Sequence, residues 1–199
     1  MNTPHKYPKI LVLFYSKTGH MLKMARSIAK DAENSGAEVR LRKAPELAPS
    51  DVIEKTPEWK AVYQSMSDIP DAVVDDLIWM DGLIAGAPTR FGNMAAPMRN
   101  FWDMTGKLWM EGTLIGKTVS IFSSAEMVHG GQEATLLATF PTLFAHGLII
   151  VGIPGNIKEL YSSGSYYGAL SSGEPNDTDL LVARHMTNRM IDVTKKLRC

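Results

Sequence analysis

Five strand-like runs, separated by stretches whose apolar residues recur with helical period, constrain this chain more than any other feature. They are residues 10–15 (ILVLFY), 38–42 (EVRLR), 82–87 (GLIAGA), 118–122 (TVSIF) and 148–151 (LIIV). The second alternates charged and apolar residues, as a strand near a sheet edge does, whereas the last three are almost continuously apolar, as strands covered on both faces are. After the first run, Met21, Met24, Ala25, Ile28, Ala29 and Ala32 form one helical stripe that stops near Ser35 and Gly36. A last helix from about Thr178 carries Leu181, Met186, Met190, Ile191, Val193 and Leu197, with Asn176 and Asp177 as its cap. Strand and helix in alternation predict an α/β fold: a doubly wound, five-stranded parallel sheet of order 2-1-3-4-5 with helices on both faces.

Length and charge narrow the class. At 199 residues the chain suits a single domain, 1–199. Lys and Arg number 21, as do Asp and Glu, so no overall positive field invites nucleic acid or an anionic membrane. The expected partners are a small molecule or another protein. The single cysteine, Cys199, excludes an intramolecular disulfide, makes a thiolate metal site improbable and fits a reducing compartment. Lys6 and Lys9 precede an apolar run of only six residues, with no cleavage pattern behind it, and no stretch approaches the ~18 apolar residues of a membrane span. The expectation is a soluble, cytoplasmic protein without stable membrane insertion.

Two stretches break the alternation. Residues 44–70 carry four prolines and many charges, and read as a long connection with one short helix around Trp59 to Met66. Residues 153–176 are rich in Gly and Ser without clear period. Connections this long are either functional or merely mobile surface, and the sequence leaves both open.

In a 2-1-3-4-5 sheet a ligand lies beyond the carboxyl ends of the strands, at the point where the winding reverses. After the first strand comes Ser16, Lys17, Thr18, Gly19, His20 and Met21. A strand that stops on such a turn and restarts as a helix gathers backbone N–H groups at the positive end of a helix dipole, which suits a phosphate; the same residues also make an ordinary cap. Neither GxxxxGK[ST] nor GxGxxG occurs, so a terminal monophosphate held by neutral donors is favoured. After the third strand come Pro88, Thr89, Arg90, Phe91, Gly92 and Asn93. Pro88 sets a turn, Gly92 lets backbone approach a ligand and Phe91 offers an aromatic surface to a planar ring. Arg90 either covers a ring edge or pairs with a carboxylate. After the fourth come Ser123, Ser124, Ala125, Glu126, His129, Gly130 and Gly131, flexible backbone able to line the polar edge of a heterocycle. Trp109, in a short loop, reads by itself as core or interface filler, and His146, at a helix end, as a dipole partner or core histidine.

Together the segments ILVLFYSKTGHMLKMA, GAPTRFGNMAAPMRNFWDMTGKLW, GTLIGKTVSIFSSA, HGGQEATL and HGLIIVGIP resemble the tryptophan repressor-binding protein (WrbA) family of flavodoxin-like NAD(P)H:quinone oxidoreductases. The resemblance implies an FMN cofactor, NADH or NADPH as donor and a quinone acceptor, in ping-pong hydride transfer through the flavin. It would place the FMN phosphate on residues 16–21, with Thr18 also facing the nicotinamide nucleotide. Thr89, Arg90 and Phe91 would flank the isoalloxazine, and Ser124 through Gly130 would wrap its pyrimidine edge. Trp109 and His146 would shape the substrate site, His146 as a proton or hydrogen-bond donor to the quinone. A homodimer or homotetramer is implied, in which some residues serve a neighbour's flavin. Residues 43–76 match the family's helical excursion. The chain departs from the family at Ala125 to His129, where many members carry Gly and Thr, at Thr18, which replaces an aromatic residue of some members, and in the late loop, which keeps Tyr167, Gly168 and Ala169 without the usual Gly-Thr-Pro lead-in. A flavodoxin-type electron carrier and a regulatory protein with a vestigial flavin site remain the alternatives.

Overall fold

The structure is a computed structural model that describes residues 7–197; Lys6 and Cys199 lie outside the described residues. Its core is a parallel sheet of β1 (Lys9–Phe14), β2 (Glu38–Lys43), β3 (Gly82–Arg90), β5 (Thr118–Ala125) and β6 (Ile149–Ile150), in the order β2-β1-β3-β5-β6. The first four positions of the expected order are reproduced. The expectation of five strands is corrected, because the sheet has seven. β4 (Asn93–Met94) folds back antiparallel on the end of β3, and β7 (Ala169–Ser172) lies parallel to β5.

The two extra strands have physical causes. The expected fifth strand ends after two residues, pairing only with Thr118 and Val119, and the chain leaves the sheet. It returns as β7 to pair with the other half of β5, Phe122 to Ala125. One edge position is thus shared by two segments. β7 enters past Gly168, where an added Cβ would lie 2.0 Å from the Ile121 carbonyl oxygen.

β1 shows why its sequence is apolar without interruption. Ile10, Val12 and Phe14 pack on one face with α1 (His20–Asn34) and α8 (Asp177–Leu197), while Leu11 and Leu13 pack on the other. That second face is covered by α4 (Val74–Trp79), α5 (Ala96–Asp103) and α7 (Gln132–Ala145). Near the centre, Gly86 leaves room for the Phe122 ring, whose Cζ would lie 2.2 Å from an added Cβ. The connection expected to hold one short helix holds α2 (Ser50–Glu54) and α3 (Pro57–Gln64), and α4 follows it. Trp109 sits in a short helix, α6 (Gly106–Met110), rather than a loop. Among the described residues no helix is long and apolar enough to cross a membrane.

Candidate active site

β1, β3 and β5 are parallel, with Phe14 opposite Gly86 and Gly86 opposite Phe122, so the loops that leave them emerge on one edge. They meet around a cavity of about 290 Å³. The first loop lines it with Ser16, Lys17, Thr18, His20 and Met21, the second with Pro88, Thr89, Arg90 and Phe91. From the third come Ser124, Ala125, Glu126, Met127 and Gly130, all within the stretch Ser124 to Gly130 that the sequence marks.

The first turn is built to accept an anion. Gly19, at φ 93°, turns the chain into α1, and the Ser16 hydroxyl accepts from the N–H groups of Gly19 and Leu22, each at 3.2 Å. Ser16 therefore does cap the helix, as the plain alternative expects. The cap uses only those two donors; among the described residues the N–H groups of Thr18, His20 and Met21 take no protein acceptor. Such orphan donors at a helix N-terminus are where phosphates and carboxylates bind. Lys17 is turned aside, its ammonium 4.1 Å from the centroid of the Trp59 ring in α3.

The second loop is a two-residue hairpin. Arg90 pairs with Asn93 across Phe91 (φ 54°) and Gly92 (φ 76°). The Phe91 ring is fully exposed at the mouth of the cavity. Arg90 donates to the Thr89 carbonyl at 2.8 Å instead of reaching a carboxylate. Behind it, Tyr15 donates to Glu46 at 3.0 Å; burial and then the Glu46 charge push its phenol well up, against an opposing effect of Arg90, so it remains a donor.

The third loop is fastened to the second. Thr135 Oγ1 donates within 2.6 Å of Thr89 Oγ1, and an added Cβ on Gly131 would stand 3.6 Å from the Gly92 backbone. Ser123 is fully buried and donates to the Ala87 carbonyl at 2.8 Å, so it ties β5 to β3 rather than lining the cavity. Gly92, Asn93, His129 and Gly131 do not line this cavity: Gly131 closes against the Gly92 backbone, and His129 and Gly131 line a second cavity across the loop.

Trp109 and His146 are not brought to this cavity within the chain. His146 follows the far end of α7, a helix of 14 residues and hence roughly 21 Å from its beginning at the cavity. There His146 is buried against Trp102, ring centroids 5.4 Å apart. Thr105 Oγ1 lies 2.6 Å from the Trp102 carbonyl and 2.9 Å from His146 Nε2. The hydroxyl has one proton, spent on the carbonyl, so Nε2–H must donate to Thr105 and Nδ1 is left as a lone pair. Nδ1 is buried without a partner, as is the Trp102 indole N–H, and burial holds the imidazole below its ordinary pKa. With Nε2–H directed to Thr105, the imidazole offers its Nδ1 lone pair, and no second N–H, to anything beyond that hydroxyl within the single chain.

The parallel order, the helices on both faces and the ligand-ready loop cluster at the carboxyl edge define a flavodoxin-like α/β protein. Solved structures agree on the fold. A WrbA-like flavodoxin from Agrobacterium tumefaciens superposes with a TM-score of 0.68 at 20% identity over 95% of this chain and 98% of that one. Oxidised flavodoxin 2 from Bacillus cereus gives 0.64 at 16% identity, covering 93% and 99%. A family model described as NADPH-dependent FMN reductase matches residues 8–155, and the chain belongs to that family. Among its relatives, a protein of Archaeoglobus fulgidus named NAD(P)H dehydrogenase (quinone) is 47% identical over 189 residues, covering 95% of this chain and 98% of its own. A protein of the same name from Geotalea daltonii is 44% identical over 201 residues, again covering 95% and 98%.

Proposed function

We propose that this chain is an FMN-dependent NAD(P)H:quinone oxidoreductase of the WrbA type, acting as one flavodoxin-like domain. The observation that carries this is the convergence of three polar loops on one cavity, with three unpaired N–H groups in its first turn. The residues present fit FMN. A terminal phosphate would take the N–H groups of Thr18, His20 and Met21, with the Ser16 and Thr18 hydroxyls beside them. The ring would lie between the Thr89 to Phe91 hairpin and the Ser124 to Gly130 loop, with Pro88 on the wall, Gly92 and Gly131 in close approach where the two loops join, and Ser123 holding the strands beneath.

FMN, when bound, supplies the chemistry: it accepts two electrons from reduced nicotinamide and delivers them to a quinone. The protein's part is positioning. The exposed Phe91 ring gives a planar substrate a surface to stack on, and Glu126 and Met127 border the same mouth. Backbone N–H groups of the third loop stabilise negative charge without reorganising. Trp109 serves a neighbouring copy's site within a homodimer or homotetramer, while His146 positions Trp102 and the helix end behind it. The support is an apolar surface on segments 104–115 and 144–149, which meet where the Gly116 N–H donates to Gly147 O at 3.0 Å. Met104, Trp109, Met110, Ile115 and Phe144 are all exposed there. A soluble, cytoplasmic enzyme fits these residues.

An absorbance titration of the purified protein with FMN, followed by NADH and then benzoquinone, tests the reading. Saturable binding, bleaching by NADH and reoxidation by benzoquinone are expected. Failure to bind FMN would overturn it, and bleaching only with an added reductase would make the protein an electron carrier.

A further inference from the structure

A second cavity, of about 680 Å³, lies on the other side of the third loop. The loop is a partition one chain thick: Ala125, Glu126, Met127 and Gly130 line the first cavity, while Val128, His129 and Gly131 line the second. The far wall of the second is the late segment, including the Tyr161 ring, which is 89% exposed, and the hydroxyls of Ser163 and Ser172. β7 carries Ser172 to the same carboxyl edge, opposite Ala125 of β5.

The sizes are informative. Small-molecule sites occupy about 300–1,000 Å³. At about 290 Å³ the first cavity suits one ring system and its phosphate, and has no room for a whole dinucleotide besides. If the first cavity works as proposed above, the adenosine half of the nicotinamide donor must lie outside it, and the adjoining space is the second cavity. Its lining is also chemically selective. It includes the Glu133 and Asp179 carboxylates and no lysine or arginine; its one basic side chain is His129, on the partition. Asp179 is held in place by the Ser163 hydroxyl and, at 2.9 Å, by the Asn176 N–H. Carboxylates accept hydrogen bonds from ribose hydroxyls, whereas a 2′-phosphate there would carry nearly two negative charges among acidic groups.

We infer that the second cavity binds the adenosine half of the donor, with adenine stacked on Tyr161 and the ribose facing Glu133, and that it selects NADH over NADPH. The inference rests on the proposed function, and its test separates the two. Calorimetric titration of the FMN-loaded protein with ADP-ribose and with 2′-phospho-ADP-ribose should show the first binding tighter by about tenfold. Tyr161→Ala should weaken ADP-ribose about fivefold or more while FMN affinity is unchanged. Glu133→Lys should narrow the gap between the two ligands. In benzoquinone reduction, Tyr161→Ala should narrow the KM difference between NADH and reduced nicotinamide mononucleotide, which lacks the adenosine half. Equal binding of the two probes, no binding of ADP-ribose, or indifference to Tyr161→Ala would overturn the inference, even in a protein that holds FMN and turns over the mononucleotide. A protein that holds no FMN overturns the functional reading instead, and the ADP-ribose titration on that same protein still decides the cavity.

Discussion

Phe91 sits at φ 54° with its ring in solvent, in a turn where Asn before Gly is the natural choice. A left-handed conformation costs a bulky residue about 1–2 kcal/mol, and an exposed ring recovers none of that by packing. Phe91→Asn is therefore expected to raise the urea midpoint by the equivalent of about 1 kcal/mol and to lower quinone turnover, both read on the same preparation. His146 makes a second residue-scale prediction. Burial lowers its pKa, so in the folded protein it stays neutral where the unfolded chain takes up a proton. Stability contributed this way is fully present above the unfolded value of about 6.5 and is lost as pH falls below it, by at most about 1.4 kcal/mol per pH unit. His146→Gln should flatten that dependence in urea midpoints compared between pH 5.5 and 7.5; an unchanged slope would mean that the imidazole titrates freely.

Among the elements, the turn from β1 into α1 is backed by α3. Trp59 is buried beneath the Lys17 ammonium, and an added Cβ on Gly19 would stand 3.6 Å from Val62 Cγ2. With its charge resting on an indole, Lys17 contributes backbone more than charge to the phosphate. Lys17→Met should change FMN affinity by less than about threefold. Gly19→Asp, which adds both a strained side chain and a negative charge, should weaken it by about a hundredfold or more. Fluorescence quenching of FMN measures both, and a large loss in Lys17→Met would refute the indifference of that ammonium. The same elements show what the sequence discloses. β1, β3 and β5 are legible because burial on both faces demands continuous apolar runs, and three polar loops at their ends are legible because strand order dictates where they emerge. β7 is not: Ala169 to Ser172 is short, half polar and placed by a glycine that admits it against Ile121, and no periodicity announces such a fit. The orientation of Lys17 and the second cavity are also silent in the sequence, because each depends on segments far apart in the chain meeting in space.

At the level of the whole molecule, the carboxyl edge is held by loops whose orphan donors and glycines a ligand would satisfy. FMN binding should therefore stabilise the fold as a whole, by about 2.7 kcal/mol at a hundredfold excess over Kd. Calorimetric melts with and without FMN measure it, and an unshifted Tm would show that FMN does not bind the native state selectively. Light scattering should give a dimer or tetramer, shifted toward smaller species by Trp109→Glu, since that substitution puts a charge into the exposed apolar surface.

The divided edge of the sheet bears on how this protein behaves when crowded with copies of itself. An open sheet offers unpaired N–H and C=O groups at both sides, a template for uncontrolled strand addition. Here one side is split between two residues of β6 and four of β7. The other side is β2, whose Arg40 and Arg42 are both paired with Asp76. Neither border presents a long, flat, apolar strand, so the fold carries its own resistance to fibrous aggregation, written into the detour that the chain takes between β6 and β7.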